Sequence, residues 1–472
     1  MRYKGEGPMS GHSSDSMDSV AAVLGVTMDN PDRSIIRKDV LNMVWPYTLE
    51  NVLHFAVGIV STAMVGRLGA TALATVGLSM RVVSWVWVLS QAVTVGATVL
   101  VARAVGGQQR EQAAHAAAQA LFLMVFLGLA LAATFYFFAE SIIGIFPGES
   151  GLLSEGTKYL RIVAWGIPFT GISMTVGAVL RGSGDTKTPM YIAVVVNIVN
   201  IVLGYLLIFG NLGFPRLGLE GGAIAVVSAQ GVGCLAALVV LFLGKTLPIS
   251  LQTLRNINVS LMRSMLSIGI PASAESAFWQ AATFILTMLI VSLGTVSMAA
   301  HQVGLTVEGL SYMPAGALGV AATAFVGQSL GARRPHLSER YMREVLRWAM
   351  ALCAITTITL VAIPKALLRL LTTDTAVIDL GAYYLILMGL AQFPQILAWV
   401  FNGALRGAGD TKSPMYFAGV GIWLVRLPLA FFFGQYLGMG ILGVWWAMLV
   451  DILVRFGLSF WRYRQGKWKE AT

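Results

Sequence analysis

Long apolar runs alternate with short polar breaks along nearly the whole chain. Runs of ~20 residues, wound at 1.5 Å per residue, are long enough to cross a ~30 Å hydrocarbon layer as helices. About twelve are predicted by that criterion, at 41–65, 72–101, 113–138, 157–180, 189–210, 221–244, 265–293, 297–327, 345–364, 377–403, 415–437 and 440–461. The second and eighth are long and punctuated by glycine, which predicts bending or a partly interfacial course. A membrane β-barrel is excluded, because the runs lack the short alternating pattern that barrel strands need.

The pattern is written twice. Arg181-Gly182-Ser183-Gly184-Asp185-Thr186-Lys187-Thr188-Pro189-Met190-Tyr191 returns 225 positions later as Arg406-Gly407-Ala408-Gly409-Asp410-Thr411-Lys412-Ser413-Pro414-Met415-Tyr416. The same offset carries Pro46 onto Pro271, Glu50 onto Glu275, and Gly69 onto Gly294. An offset that does not drift means two copies of one structural unit. Six spans per copy is an even number, so both copies enter the bilayer from the same side, and the pseudo-twofold axis runs along the membrane normal. The fold class expected is therefore all-α integral membrane, with twelve helices in two pseudo-symmetric six-helix lobes. The expected divisions are a disordered cytoplasmic tail (1–38), a first lobe (39–245), a cytoplasmic linker (246–263), a second lobe (264–461) and a basic cytoplasmic tail (462–472).

Composition sharpens this. Of 472 residues, 57% are hydrophobic and only 11% charged, too apolar for a water-soluble core. The net charge of +10 gathers in alternate loops, as at Arg103 and Arg110, Arg333 and Arg334, and the Arg462–Lys469 tail. That is the positive-inside pattern with both termini in the cytoplasm, and it removes the need for a nucleic-acid partner. Cys234 and Cys353 lie inside apolar runs and suggest neither a disulfide framework nor a metal site. The Gly-Asp-Thr-Lys turns lack the spacing of a phosphate loop, and Val239 spoils the one at Gly244-Lys245-Thr246, so no ATP site is predicted. Gly-Asp instead ends one helix and the following proline starts the next, with Arg181 and Arg406 anchoring the turns at the membrane surface.

The duplicated Arg-Gly-x-Gly-Asp-Thr-Lys-x-Pro-Met resembles the multidrug and toxic compound extrusion (MATE) family. So do Ala299-Ala300-His301-Gln302, the run Glu308-Gly309-Leu310-Ser311-Tyr312-Met313-Pro314, and Trp423-Leu424-Val425-Arg426-Leu427-Pro428. The likeness covers roughly residues 40–468. It implies a V-shaped exporter of amphiphilic, often cationic compounds in exchange for protons or sodium ions, with no other cofactor. A prokaryotic plasma-membrane location and a monomer are expected. The chain departs from the family where many relatives carry an aspartate in the first span, here Ser61. It also departs where some carry an acid in the fifth span, here Gly204, near Asn200.

Ionisable groups at mid-membrane are costly and are functional candidates by default. Glu50 and Glu275 fall roughly 16–18 Å into their helices, each one turn beyond a proline. A lone carboxylate there is a candidate for carrying the coupling cation or attracting substrate; the alternative is a neutral acid serving as interhelical glue. His54 shares the face of Glu50 and is a candidate proton partner. Ser61 lies three turns along the same stripe, so Glu50 is a candidate replacement for the absent aspartate. Arg426 is expected to pair with Asp451 as scaffold, or Asp451 with Arg455 at i,i+4. Arg81 and Glu308, at nearly corresponding positions, suggest a lock between lobes. Trp279 and Trp399 are candidate aromatic walls for a drug. The competing reading is a flippase for lipid-linked saccharides, and an enzyme is disfavoured for want of a catalytic cluster.

Overall fold

The computed structural model describes residues 32–145, 150–244, 247, 253 and 256–470. The predicted tail up to residue 31, residues 246, 248–252, 254 and 255 of the predicted linker, and residues 471–472 of the basic tail lie outside them. Among the described residues all regular structure is helical. The first lobe comprises α1 (Arg33–Gly66), α2 (Ala70–Gly106), α3 (Arg110–Phe137), the short α4 (Ala139–Gly144), α5 (Ser150–Ala164), α6 (Ile167–Gly182), α7 (Lys187–Phe209) and α8 (Gly218–Leu243). The second comprises α9 (Val259–Ser292), α10 (Thr295–Gly331), α11 (Pro335–Ala362), the short α12 (Pro364–Arg369), α13 (Thr375–Gly407), α14 (Lys412–Tyr436) and α15 (Ile441–Arg464).

Eleven of these are long and apolar enough to span, and α5 with α6 forms a twelfth, bent by 46°. The predicted spans fall on these helices. Helix begins at Arg33 and Val259, however, several residues before the predicted lobe starts. The bend falls at Trp165-Gly166, just before Pro168, whose ring cannot donate to the preceding turn. The second and eighth runs form α2 and α10, unbroken 37-residue helices and among the most enclosed in the molecule. Their glycines serve close packing, as is common between membrane helices. The wide π-type turns in α14, over Gly419–Arg426 and Phe432–Tyr436, were not foreseen.

Within the first lobe, α2, α3 and α6 pack together and α8 lies on α7; within the second, α10, α11, α13 and α15 do likewise. Between lobes, α2 runs along α9 and α10, while α1 crosses α10. The lobes also exchange core residues. Ile36, Val40 and Met43 of α1 bury among second-lobe residues such as Phe325 and Tyr341. Met265 of α9 buries in the first-lobe cluster with Val101 and Leu121. Outward faces carry exposed apolar side chains such as Phe126, Leu129, Leu235, Ile355 and Leu424, as lipid contact requires.

Candidate functional site

Four polar arrangements stand out within the bundle. The first is a pair of ion pairs. Glu50 sits at the middle of α1 and Glu275 at the middle of α9. Neither is a lone carboxylate: Arg181 Nη1 lies 3.3 Å from Glu50 Oε1, and Arg406 Nη2 lies 2.6 Å from Glu275 Oε2. This corrects the expectation of free acids, and of Arg181 and Arg406 as surface anchors. Side chains of a helix tilt toward its N-terminus, so an arginine near the end of α6 or α13 reaches back along its helix into the bundle. Arg181 also lies 5.1 Å over the ring of Tyr47. The acids keep 14% and 19% side-chain exposure, so these are nearly enclosed pairs. The turns that follow are built as predicted: Asp185 accepts from the backbone and hydroxyl of Thr188, and Asp410 from those of Ser413.

The second is a cavity of about 200 Å³ inside the first lobe. It gathers His54, Ser61, Asn200 and Gly204, with Asn197 and Gln230 as further polar walls. The sequence singled out the first four separately, and the fold brings them together. Its lining contains no acidic residue. Glu50 does not replace the missing aspartate, because its carboxylate is turned to Arg181 instead.

The third arrangement is a polar network inside the second lobe. Glu308 is 1% exposed; it accepts from Tyr312 at 2.5 Å, Tyr384 at 2.5 Å and Gln392 at 3.4 Å. Those partners all belong to its own lobe, so the predicted lock with Arg81 does not form; Arg81 is exposed on α2. Nearby, Trp445 donates to His301 Nδ1. Both pairings predicted for Asp451 exist together: Arg426 Nη2 at 2.6 Å and Arg455 Nε at 2.8 Å. The π-type turns of α14 carry Arg426. Trp399 packs on Tyr312, with ring centroids 5.2 Å apart.

The fourth lies between the lobes. Where α2 crosses α9, a cavity of about 510 Å³ is lined by Trp87 and Trp279, with Ser84, Gln91, Ser276 and Gln280. Ser276 donates to Gln91 and Gln280 to Ser84 across the lobe boundary, at 3.0 and 2.9 Å. Toward the end of the bundle where α2 and α10 stop, the lobes close. Arg103 Nη2 donates to the carbonyl of Ala408 at 2.6 Å, and Gln328 Nε2 to that of Gly182 at 3.0 Å. Each lobe thus caps the other's repeated turn. A Cβ on Gly106 would overlap the Gln328 carbonyl, and one on Gly331 the Arg103 carbonyl; only glycine permits so close an approach of α2 and α10. Sequence reading missed this seal, although Arg103 and Gln328, like Gly106 and Gly331, stand 225 positions apart.

A duplicated helical membrane bundle of this kind is a transporter fold, and comparison with known proteins gives its family. The MatE family model matches residues 46–206 and again 271–432, once per lobe. The chain belongs to the MatE family. A relative from Thermotoga maritima, described as a probable multidrug resistance protein NorM, is 32% identical over 442 residues, covering 93% of this chain and 94% of that protein. The uncharacterized transporter YisQ of Bacillus subtilis is 26% identical over 428 residues, covering 90% and 94%. A crystal structure of MATE in the bent conformation superposes with a TM-score of 0.86 at 20% identity, covering 94% of this chain and 97% of that one.

Proposed function

We propose that this protein is a secondary antiporter of a plasma membrane, exporting amphiphilic organic compounds in exchange for protons or sodium ions by rocking its two lobes. The observation that carries the coupling is Glu308. A carboxylate taken into a protein interior pays a large desolvation penalty unless a cation offsets it. Glu50, Glu275 and Asp451 each have an arginine in direct contact. Glu308 has only neutral donors, so its site is the one best suited to taking up and releasing a cation. Tyr384 and Gln392 stand on α13 while Glu308 and Tyr312 stand on α10. Occupancy of the carboxylate therefore bears on how those two helices pack. Cation and cargo must favour different members of a two-state equilibrium for one to drive the other. The seal at one end and the open crossing above it supply one such state. Membership of the MatE family and the NorM-like relative support export of drug-like compounds.

The test is efflux from proteoliposomes under separately imposed proton and sodium gradients. Glu308→Gln is expected to abolish gradient-driven efflux while leaving the protein folded and cargo binding intact. Efflux that survives in Glu308→Gln under both gradients would remove Glu308 from the coupling.

A further inference from the structure

We propose that the cavity at the α2–α9 crossing binds planar aromatic compounds bearing a carboxylate, so that the cargo is a weak organic acid rather than a cation; this rests on the exporter reading above. Four observations carry it. The walls include two tryptophans, Trp87 and Trp279, one from each lobe and both substantially exposed. Large aromatic faces open to a cavity suit a flat aromatic partner. The polar groups of the lining, Ser84, Gln91, Ser276 and Gln280, are all uncharged, and no acidic residue is among the lining. The acid beside the lining, Glu275, is already paired with Arg406, so a cationic cargo would find no free counter-ion there.

The nearest charge along α2 is positive. Met80, Ser84, Trp87 and Gln91 recur at helical spacing and form the stripe that α2 presents to the cavity. Arg81 flanks it, one residue from Met80 and three from Ser84, whose hydroxyl donates to the Arg81 carbonyl. Arg81 is exposed, and no ion pair holds it among the described residues. An unpaired guanidinium is a planar fork matched to a carboxylate.

The duplication supplies an internal comparison. Shifted by 225 positions, Val83 becomes Glu308, Trp87 becomes Tyr312, Arg81 becomes Thr306, and Trp279 corresponds to His54. The copy that carries an acid at 308 has an apolar valine at 83, and the copy that carries a base at 81 has a neutral threonine at 306. The network inside the second lobe and the cavity between the lobes divide the work: one holds the cation, the other the anionic cargo.

The test measures binding to the full chain in lipid nanodiscs by equilibrium dialysis, without an ion gradient, using three matched probes: 2-naphthoate, 2-naphthamide and 2-naphthylmethylammonium. Naphthoate is expected to bind most tightly and the ammonium least. Arg81→Gln should weaken naphthoate roughly tenfold, the loss of one charge-assisted contact, and leave naphthamide unchanged. Trp87→Ala and Trp279→Ala should weaken all three probes. Ammonium binding equal to or tighter than naphthoate, or naphthoate indifferent to Arg81→Gln, would overturn the proposal. So would a lack of binding by any probe together with phospholipid cross-linking to a photoreactive group at Trp279, which would make the cavity an acyl-chain groove. Because no gradient is used, a failed coupling test at Glu308 leaves this result standing, and the converse also holds.

Discussion

Glu275 illustrates how much one contact changes the meaning of a residue. Its carboxylate meets Arg406 with little solvent between, so removing one partner strands the other's charge. Glu275→Gln should destabilise the protein near the lower end of the roughly 3–5 kcal/mol that breaking a buried pair costs. The double variant Glu275→Gln/Arg406→Gln should recover part of that loss. Thermal unfolding in detergent checks it; a double variant less stable than the single one would show that the charges are not a coupled pair. Symmetry and depth made Glu50 and Glu275 legible in the sequence. Their partners were not, because each pair joins residues 131 positions apart through a side-chain direction that spacing does not reveal. The same holds for Glu308. Tyr312 at i+4 lies in plain view, whereas Tyr384 and Gln392 come from another helix, and without them the acid reads as a candidate for an interlobe lock.

At the scale of elements, the spans were readable because twenty-odd apolar residues admit few alternatives in a bilayer. What glycine does inside a span was not. The glycines of α2 and α10 suggested bending or an interfacial course, and their packing role within two helices unbroken for 37 residues each was not read. Gly106 and Gly331 serve instead to let two backbones meet. Gly331→Val would force the Arg103 carbonyl away, and overpacking of this kind costs about 1–3 kcal/mol. That strain falls only on the arrangement in which α2 and α10 touch, so the population should move toward the open one. Spin labels at the exposed positions Gln109 and His336 should report a longer mean distance in Gly331→Val. An unchanged distance would mean that the seal absorbs the extra volume. The bend between α5 and α6 falls where the copies differ, Gly166 and Pro168 standing against Ala391 and Phe393 of α13, and α14 carries Pro428 where the regular helix α7 has Leu203.

The whole molecule is two copies that complete one another. The start of α1 is core for the second lobe and the start of α9 is core for the first, and each copy's turn is capped from across the boundary. Neither copy alone buries these side chains or satisfies these carbonyls. Residues 1–255 expressed alone are expected to be degraded or aggregated, and to be rescued by co-expression of residues 256–472. Detergent extraction followed by gel filtration would show it, and a stable monodisperse first half would contradict the exchange.

The two caps that seal the molecule are alike in position and unlike in strength. Arg103 brings a full charge to its carbonyl, and Gln328 brings only a neutral amide; a bond from a charged donor is roughly twice as strong. On the proposed rocking of the lobes, the seam is expected to open first at Gln328 and last at Arg103. Gln328→Arg is expected to remove that asymmetry and slow the opening, as read by the rate of change of the Gln109–His336 spin-label distance.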